Sequence, residues 1–239
     1  MAALFGTAIL DHARGDRDEP LLQRDGQDEI EHPIEALYFD GVEADADHFD
    51  WLDSRVEGPL LDVGAGAGRH ALYFQEDYET VAVEVSDPLV TTMAERGVED
   101  ARRSDLFGLT DDFEPDRFRT ALVIGTQLGL GASKAGVRAG LDQLATVTTD
   151  DATAIVDSYD PTAEGAEEML GRRDDPTPGA AFRVMHFEYE SVVGDTLLFR
   201  VFDADWLRDA VDPTSWTVAD VQRSADWGMG YYRAALIKE

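Results

Sequence analysis

The chain has 239 residues, and its 50 Asp and Glu residues against 20 Lys and Arg give a formal net charge of −30. Hydrophobic residues make up 44% of it, and cysteine is absent. This composition predicts one folded domain with a real core, and it excludes disulfides, thiolate nucleophiles and cysteine-ligated metals.

The acidic residues are spread along the whole chain and accompany a full set of hydrophobic residues, so disorder does not explain them. In molar salt the screening length falls to about 3 Å, and such a surface no longer repels itself strongly. Many acids with only two lysines are typical of cytoplasmic proteins from salt-accumulating halophiles. We therefore expect a halophilic, cytoplasmic protein. We expect no nucleic-acid partner, because a basic patch is missing.

The N-terminal part is predicted to differ from the rest. Residues 11–32 are polar and acidic and predict an irregular arm, and an amphipathic segment follows at 34–55. We assign residues 1–55 to an N-terminal arm and helical cap, and residues 56–239 to the main domain. A short apolar start without basic residues predicts no secretory signal, and no apolar run approaches the 18 residues that a membrane span needs.

Strands and helices alternate from residue 59 onward. Apolar strands are predicted at 59–63, 80–85, 120–124 and 152–156, with a short one before Ser104. Helix start signals fall between them, including Asp87-Pro88 and Ser133. This alternation predicts a parallel, doubly wound α/β sheet.

The pattern changes after residue 160. Residues 181–202 predict a β-hairpin insertion with Gly194-Asp195 at its turn. Asp203 then caps a short helix, and two final strands are predicted at 216–221 and 231–237.

A glycine-rich loop follows the first of these strands in the segment Asp62-Val63-Gly64-Ala65-Gly66-Ala67-Gly68. Glycine permits left-handed backbone angles and lets a ligand approach the backbone closely. Glu84 ends the next apolar strand sixteen residues later, where a carboxylate can accept hydrogen bonds from a ribose diol. The pattern predicts a nucleoside-cofactor site.

Two interpretations of the loop compete. Gly66-x-Gly68-x-x-Ala71 is a passable dinucleotide motif, which places a pyrophosphate at a helix N-terminus. The stretch from Gly64, preceded two residues earlier by Asp62, resembles the first motif of class I S-adenosylmethionine (SAM)-dependent methyltransferases. Asp62 favours the second interpretation, because a carboxylate suits an ammonium and a sulfonium and opposes a pyrophosphate.

The resemblance implies a seven-stranded sheet, mostly parallel with an antiparallel last strand, and SAM as cofactor. Asp62 and the glycine loop would hold its methionine end, Glu84 its ribose, and Asp105 with Leu106 its adenine. The full set of implied cofactor residues is Asp62, Gly64, Ala65, Gly66, Gly68, Glu84, Val85, Ser104, Asp105, Leu106, Gly125 and Thr126.

The implied reaction is methyl transfer to an O, N or C atom of a small molecule, with the arm and the 181–202 hairpin as lid and acceptor pocket. Gly125-Thr126-Gln127-Leu128 replaces the Asn/Asp-Pro-Pro-aromatic motif of nucleic-acid amino-methyltransferases, which disfavours that role. The resemblance is compatible with a homodimer, and nothing in the sequence indicates a membrane partner.

No catalytic residue can be assigned from the sequence. The candidates, each more often a packed or solvated side chain than a base, are His70, Tyr159, His186, Tyr231 and Tyr232. Methyl transfer from a sulfonium does not require a base. The five histidines lack the spacing of metal ligands. An NAD(P)-dependent oxidoreductase and a non-catalytic SAM-binding subunit stay open as alternatives.

Overall fold

A computed structural model describes residues 2–42, 46–223 and 228–238. Its α-helices are α1 Ala2–Arg14, α2 Ala46–Asp53, α3 Arg69–Phe74, α4 Asp87–Arg96, α5 Leu109–Asp112, α6 Lys134–Val147 and α7 Ala204–Val211. Its strands are β1 Leu22–Asp25, β2 Asp28–Glu31, β3 Leu60–Val63, β4 Thr80–Glu84, β5 Ala101–Arg103, β6 Phe118–Val123, β7 Thr148–Tyr159, β8 Arg172–Asp174, β9 Ala180–Tyr189, β10 Val192–Val193, β11 Leu197–Phe202, β12 Trp216–Arg223 and β13 Tyr231–Lys238.

Seven strands form the main sheet in the order β12-β13-β7-β6-β3-β4-β5. The five strands from β3 to β7 run parallel, whereas β13 lies between β7 and β12 and is antiparallel to both. The predicted fold class is therefore confirmed. Within the described residues, none of the helices combines the length and the apolar character that crossing a membrane requires.

The central strands are buried on both faces, which explains their unbroken apolar runs. Every residue of β3 and of β4 is buried. On one face Leu61 packs with Leu141 of α6, and on the other Leu60 packs with Phe74 of α3 and Leu52 of α2. Because helices cover both faces, the open part of the sheet is the edge at which the parallel strands end.

The N-terminal segment differs from its prediction. Residues 11–32 are not an irregular arm: α1 extends to Arg14, and β1 and β2 form a hairpin with Gly26 in its turn. All four residues of β2 are exposed and three of them are acidic, so Ile30 alone does not produce the hydrophobic alternation that reveals a strand. Pairing of β1 with β9, more than 150 residues later, joins the hairpin to a second, six-stranded sheet.

The 181–202 hairpin is present, but its turn was predicted at the wrong place. The tight turn lies at Glu190 and Ser191, which adopt φ angles of 49° and 63°, and Gly194 follows in a break between β10 and β11. A Cβ on Gly194 would lie 3.2 Å from Leu4 of α1 and from the Phe187 carbonyl oxygen. A glycine is therefore needed at position 194 for close packing, and it does not form the turn.

Helix α6 begins in close contact with the 3₁₀ turn at Gln127–Gly131. We predict that a side chain added at this contact lowers the stability of the protein. A Cβ on Gly136 would overlap the Gly131 carbonyl oxygen. Gly136→Ala should therefore lower the free energy of unfolding by about 2–3 kcal/mol, although alanine is the better helix former. Urea denaturation in molar KCl measures it. Gly108→Ala is the control, because the nearest atom to its Cβ is 4.0 Å away. Equal stability of the two variants would contradict the predicted clash.

Candidate functional site

The glycine loop leaves the carboxyl end of β3 and leads into α3 with the left-handed backbone that the sequence predicts. The φ angles of Gly64, Gly66 and Gly68 are 71°, 60° and 80°. The Gly64 N–H donates to the Val83 carbonyl at 2.9 Å, and Gly68 precedes the first residue of α3. The loop therefore lies across the ends of β3 and β4, where open α/β sheets bind ligands.

Two side chains from other elements pack directly on this loop. A Cβ on Gly64 would lie 2.5 Å from the Gln127 side chain, and one on Gly66 would lie 3.0 Å from the Tyr38 ring. Gln127 follows β6, and Tyr38 belongs to the π-helical turn Glu35–Phe39. The loop is glycine-rich because these side chains leave no space for a Cβ.

Asp62 lies beneath the loop as a buried acid with spare acceptor capacity. It is 2% exposed, and within the described residues its Oδ2 has no hydrogen-bond partner. Burial, followed by the nearby charge of Glu84, raises the pKa of Asp62 to about 7, against a lowering by the Ala71 N–H. A buried carboxylate oxygen without a donor is costly. A cationic or N–H ligand would satisfy it.

Glu84 is held in a fixed orientation by the backbone around it. Its Oε1 accepts the Gly66 N–H at 2.9 Å, and its Oε2 accepts the Val85 N–H at 3.1 Å. Burial raises the pKa of Glu84 to about 7, although both hydrogen bonds lower it. Each carboxylate oxygen retains a further acceptor position, so Glu84 can also bind a diol.

The residues after β5 form a short polar and apolar group. The Ser104 hydroxyl donates to Asp112 at 2.6 Å, and Oδ1 of the exposed Asp105 accepts the Phe107 N–H at 2.9 Å. Leu106 is 6% exposed. Asp105 thus offers an exposed carboxylate, and Leu106 is packed in the core beside it.

The turn after β6 is fixed by an acid to which the sequence alone assigned no role. Asp157, near the end of β7, accepts the Gly125 N–H at 2.8 Å and the Thr126 N–H at 2.6 Å. The Tyr231 hydroxyl adds a third bond at 2.7 Å. Burial raises the pKa of Asp157. An aspartate that interrupts the apolar run of a buried strand was the available signal.

The structure separates the catalytic candidates on β7 and β13. Tyr159 and Tyr231 form an edge-to-face pair with ring centroids 5.3 Å apart beside Asp157. Tyr232 is fully buried, and its hydroxyl donates to the Phe202 carbonyl, so it belongs to the core.

Neither histidine candidate joins this tyrosine pair in a hydrogen bond. His186 contacts Glu188 at 3.0 Å within β9. His70 lies on α3, where burial and then the charges of Arg233 and Arg69 lower its pKa to about 3. His70 is therefore neutral at ordinary pH.

A chain of hydrogen bonds connects the second sheet to the glycine loop. Arg183 on β9 donates from Nη2 to Gln23 Oε1 at 2.5 Å and from Nε to the Leu170 carbonyl at 3.1 Å. Gln23 Nε2 contacts His32 Nδ1, and His32 Nε2 lies 3.0 Å from the Tyr38 hydroxyl. Gln23 and His32 are buried, so the chain runs through the interior.

The cation at one end fixes the direction of every donor in this chain. A guanidinium only donates, so the Gln23 oxygen faces Arg183 and the amide N–H faces His32. Burial and then the Arg183 charge lower the pKa of His32 to about 4, so the ring is neutral and accepts at Nδ1. Its Nε2–H therefore donates to Tyr38, which leaves the Tyr38 O–H able to donate to a ligand.

The described residues contain no group of three or more His, Asp or Glu side chains arranged to hold a metal ion. A polar hollow of about 240 Å³ lies at the opposite edge of the sheet, where β6 begins. Its Arg119 pairs with Glu57 and, at 2.8 Å, with Asp151, so its charges are already matched.

Several solved structures share this fold. A SAM-dependent methyltransferase from Bacteroides fragilis, in complex with S-adenosyl-L-homocysteine, matches with a TM-score of 0.77 and 24% identity over 99% of this chain and 95% of that one. The CcbJ methyltransferase from Streptomyces caelestis has a TM-score of 0.61 and 13% identity over 83% and 90%. The glycopeptide N-methyltransferase MtfA in complex with S-adenosyl-L-homocysteine has a TM-score of 0.59 and 15% identity over 84% and 92%.

Neither a protein-family model nor a curated protein sequence matches the chain. At these identities the structural likeness establishes the fold alone. The chemistry of the site must come from the residues described above.

The raised pKa of Asp62 predicts how stability depends on pH. The pKa of Asp62 is about 7 in the folded protein and has its ordinary value of 3.8 in the unfolded chain, so the native state keeps the proton to a higher pH. Its contribution to the unfolding free energy therefore falls as the pH rises from about 4 to about 7, by up to about 4 kcal/mol. Asp62→Asn should lose less stability than the parent between pH 5 and pH 8 in urea denaturation. The exposed Asp111→Asn is the control, and equal losses in parent and Asp62→Asn would contradict the assignment.

Proposed function

We propose that the chain is a SAM-dependent methyltransferase that transfers a methyl group to an O, N or C atom of a small molecule. One observation carries the proposal: a buried Asp62 oxygen, without a hydrogen-bond partner among the described residues, lies beneath a left-handed glycine loop whose other side is fixed by Glu84. A ligand with a cationic end and a diol matches that pair of carboxylates. The solved structures of this fold that contain SAM or its demethylated product support the choice.

The residues fit SAM in four places. Asp62 and the backbone of the loop would hold the ammonium end, and Glu84 would accept from the ribose hydroxyls. Asp105 would accept from the adenine amino group, and Leu106 would cover the adenine ring. The Gly125–Thr126 turn, fixed by Asp157, would line the sulfonium side together with Gln127.

The cofactor supplies an electrophilic methyl group on a sulfonium. The chain contributes binding, orientation and exclusion of water, which suffice when the acceptor atom is a competent nucleophile. Tyr38 covers the loop, and the tyrosine pair Tyr159–Tyr231 stands beside the fixed turn. We assign no general base.

The residues at the glycine loop and the positions of the two lysines do not favour the dinucleotide alternative. A pyrophosphate would stand beside two buried carboxylates, Asp62 and Glu84. Lys238 donates to the Thr148 carbonyl where β7 begins, and Lys134 lies over the Trp206 ring. Neither lysine can form the hydride-transfer pair of an NAD(P)-dependent oxidoreductase from there. A non-catalytic SAM-binding subunit would bind the same cofactor without turnover.

The N-terminal segment and the β9–β11 hairpin form the proposed lid and acceptor side. Tyr38 contacts the loop, and β9 pairs with β1, so the second sheet approaches the cofactor site from above the strand ends. A small acceptor fits this arrangement better than a nucleic acid, which the charge of −30 would repel. The same charge supports a halophilic, cytoplasmic protein, and light scattering in molar KCl tests the homodimer.

Glu84→Ala should weaken binding of S-adenosyl-L-homocysteine by about 10- to 100-fold, because two charge-assisted ribose hydrogen bonds are lost. Isothermal titration calorimetry in molar KCl measures the change. Glu76→Ala, at an exposed acid in the turn after α3, is the matched control and should bind as the parent does. NAD(H) binding in place of S-adenosyl-L-homocysteine would sink the proposal.

A further inference from the structure

We infer that the methyl acceptor carries a carboxylate and that Arg183 binds it; this inference rests on the proposed function. Arg183 lies on β9, in the second sheet, at the far end of the hydrogen-bond chain that leads to Tyr38. It is a specificity residue for the acceptor, outside the set of residues that would hold the cofactor.

Arg183 has donors to spare. Of its five N–H groups, Nε–H and one N–H of Nη2 are used by protein acceptors. Within the described part of the chain, no carboxylate forms an ion pair with it, and its Nη1 has no hydrogen-bond partner. The side chain is half-buried, so the guanidinium is both partly desolvated and reachable from solvent. Burial accordingly lowers its pKa.

Arg183 differs from most arginines of this molecule. Acids outnumber bases by 50 to 20, and most arginines form ion pairs, whereas Arg183, like Arg96 and Arg138, donates to uncharged acceptors among the described residues. Arg173, on the neighbouring strand β8, contacts Asp25 at 2.8 Å, and Arg200 contacts Asp175 at 3.0 Å. Arg183 instead has neutral partners, an amide oxygen and a backbone carbonyl. Its positive charge is therefore available to an anionic ligand.

The position of Arg183 relative to the glycine loop favours the acceptor over the cofactor. Two buried side chains, Gln23 and His32, stand between Arg183 and Tyr38, and Tyr38 itself packs on Gly66. Arg183 thus lies beyond the covering residue, outside the loop that would hold the methionine end. A ligand group at Arg183 belongs to a second molecule that approaches the cofactor from the second sheet.

The residues around Arg183 indicate the chemical character of the rest of the methyl acceptor. Burial and then the charge of Asp157 raise the pKa of Tyr159, and the charge of the nearby Arg183 lowers it. Its ring pairs with Tyr231 next to the Gly125–Thr126 turn. The tyrosine pair therefore adjoins both the guanidinium and the turn at the proposed site of transfer. A flat or apolar body with a carboxylate at one end matches this order of groups.

Calorimetric titration of the protein already saturated with S-adenosyl-L-homocysteine tests the inference. Benzoate is the probe, benzamide is its neutral isostere, and inorganic phosphate is the alternative anion. The parent should bind benzoate in preference to both. Arg183→Met should weaken benzoate binding by about 10- to 100-fold and leave the affinity for S-adenosyl-L-homocysteine unchanged. Arg173→Met is the matched control and should behave as the parent does.

The outcomes separate this inference from the proposed function. Failure of the parent to bind S-adenosyl-L-homocysteine overturns the proposed function. If that product binds but benzoate does not, or if benzamide or phosphate binds as well, only the acceptor assignment is wrong. A lower affinity of Arg183→Met for S-adenosyl-L-homocysteine would assign Arg183 to the cofactor instead. Should Arg183→Met fail to fold, Arg183→Lys decides, because losing the two-pronged geometry should still weaken benzoate binding several-fold.

Discussion

The hydrogen bond between the Gly66 N–H and the Glu84 carboxylate joins the glycine loop of one strand to the end of the next. This hydrogen bond depends on the glycines of the loop. They adopt left-handed backbone angles, and they leave room for Tyr38 and Gln127 to pack against the loop. The hydrogen bond also places Glu84 near Asp62 in the interior. Two buried acids are tolerated together only if protons or a cationic ligand neutralise them. The cofactor proposal follows from that requirement.

The second sheet contributes the other side of the proposed binding site. A parallel sheet with helices on both faces leaves its strand ends open at one edge, and here a hairpin from the N-terminus and one from near residue 180 meet beside that edge. Their junction contains Arg183, Gln23 and His32, which form a chain of hydrogen bonds that ends at Tyr38. The surface of the protein is strongly acidic, yet the interior approach to the site carries a positive charge. An anionic acceptor would therefore meet its complementary charge inside the protein.

Much of the fold was readable from local pattern. The strand ending at Val63, the strand ending at Glu84, and the helices that begin after Ser86 and Ser133 lie within a few residues of their predictions. Strands buried on both faces produce unbroken apolar runs, and caps and glycines mark the ends of helices. The β1–β2 hairpin was missed because β2 is exposed and three of its four residues are acidic. The turn of the later hairpin was misplaced because two ordinary residues adopt the left-handed angles that glycine usually supplies.

The sequence by itself determined the class of fold, the glycine loop and the two acids that flank it, since all of these depend on short-range spacing. Only the tertiary structure decided the function of Asp157, which fixes a turn about thirty residues earlier, and of Arg183, whose partner Gln23 is 160 residues away. Neither contact leaves a local pattern, because each residue is an ordinary strand residue until the sheets assemble. Burial then determines which side chains lack a partner, and those side chains are the ones that a ligand would satisfy.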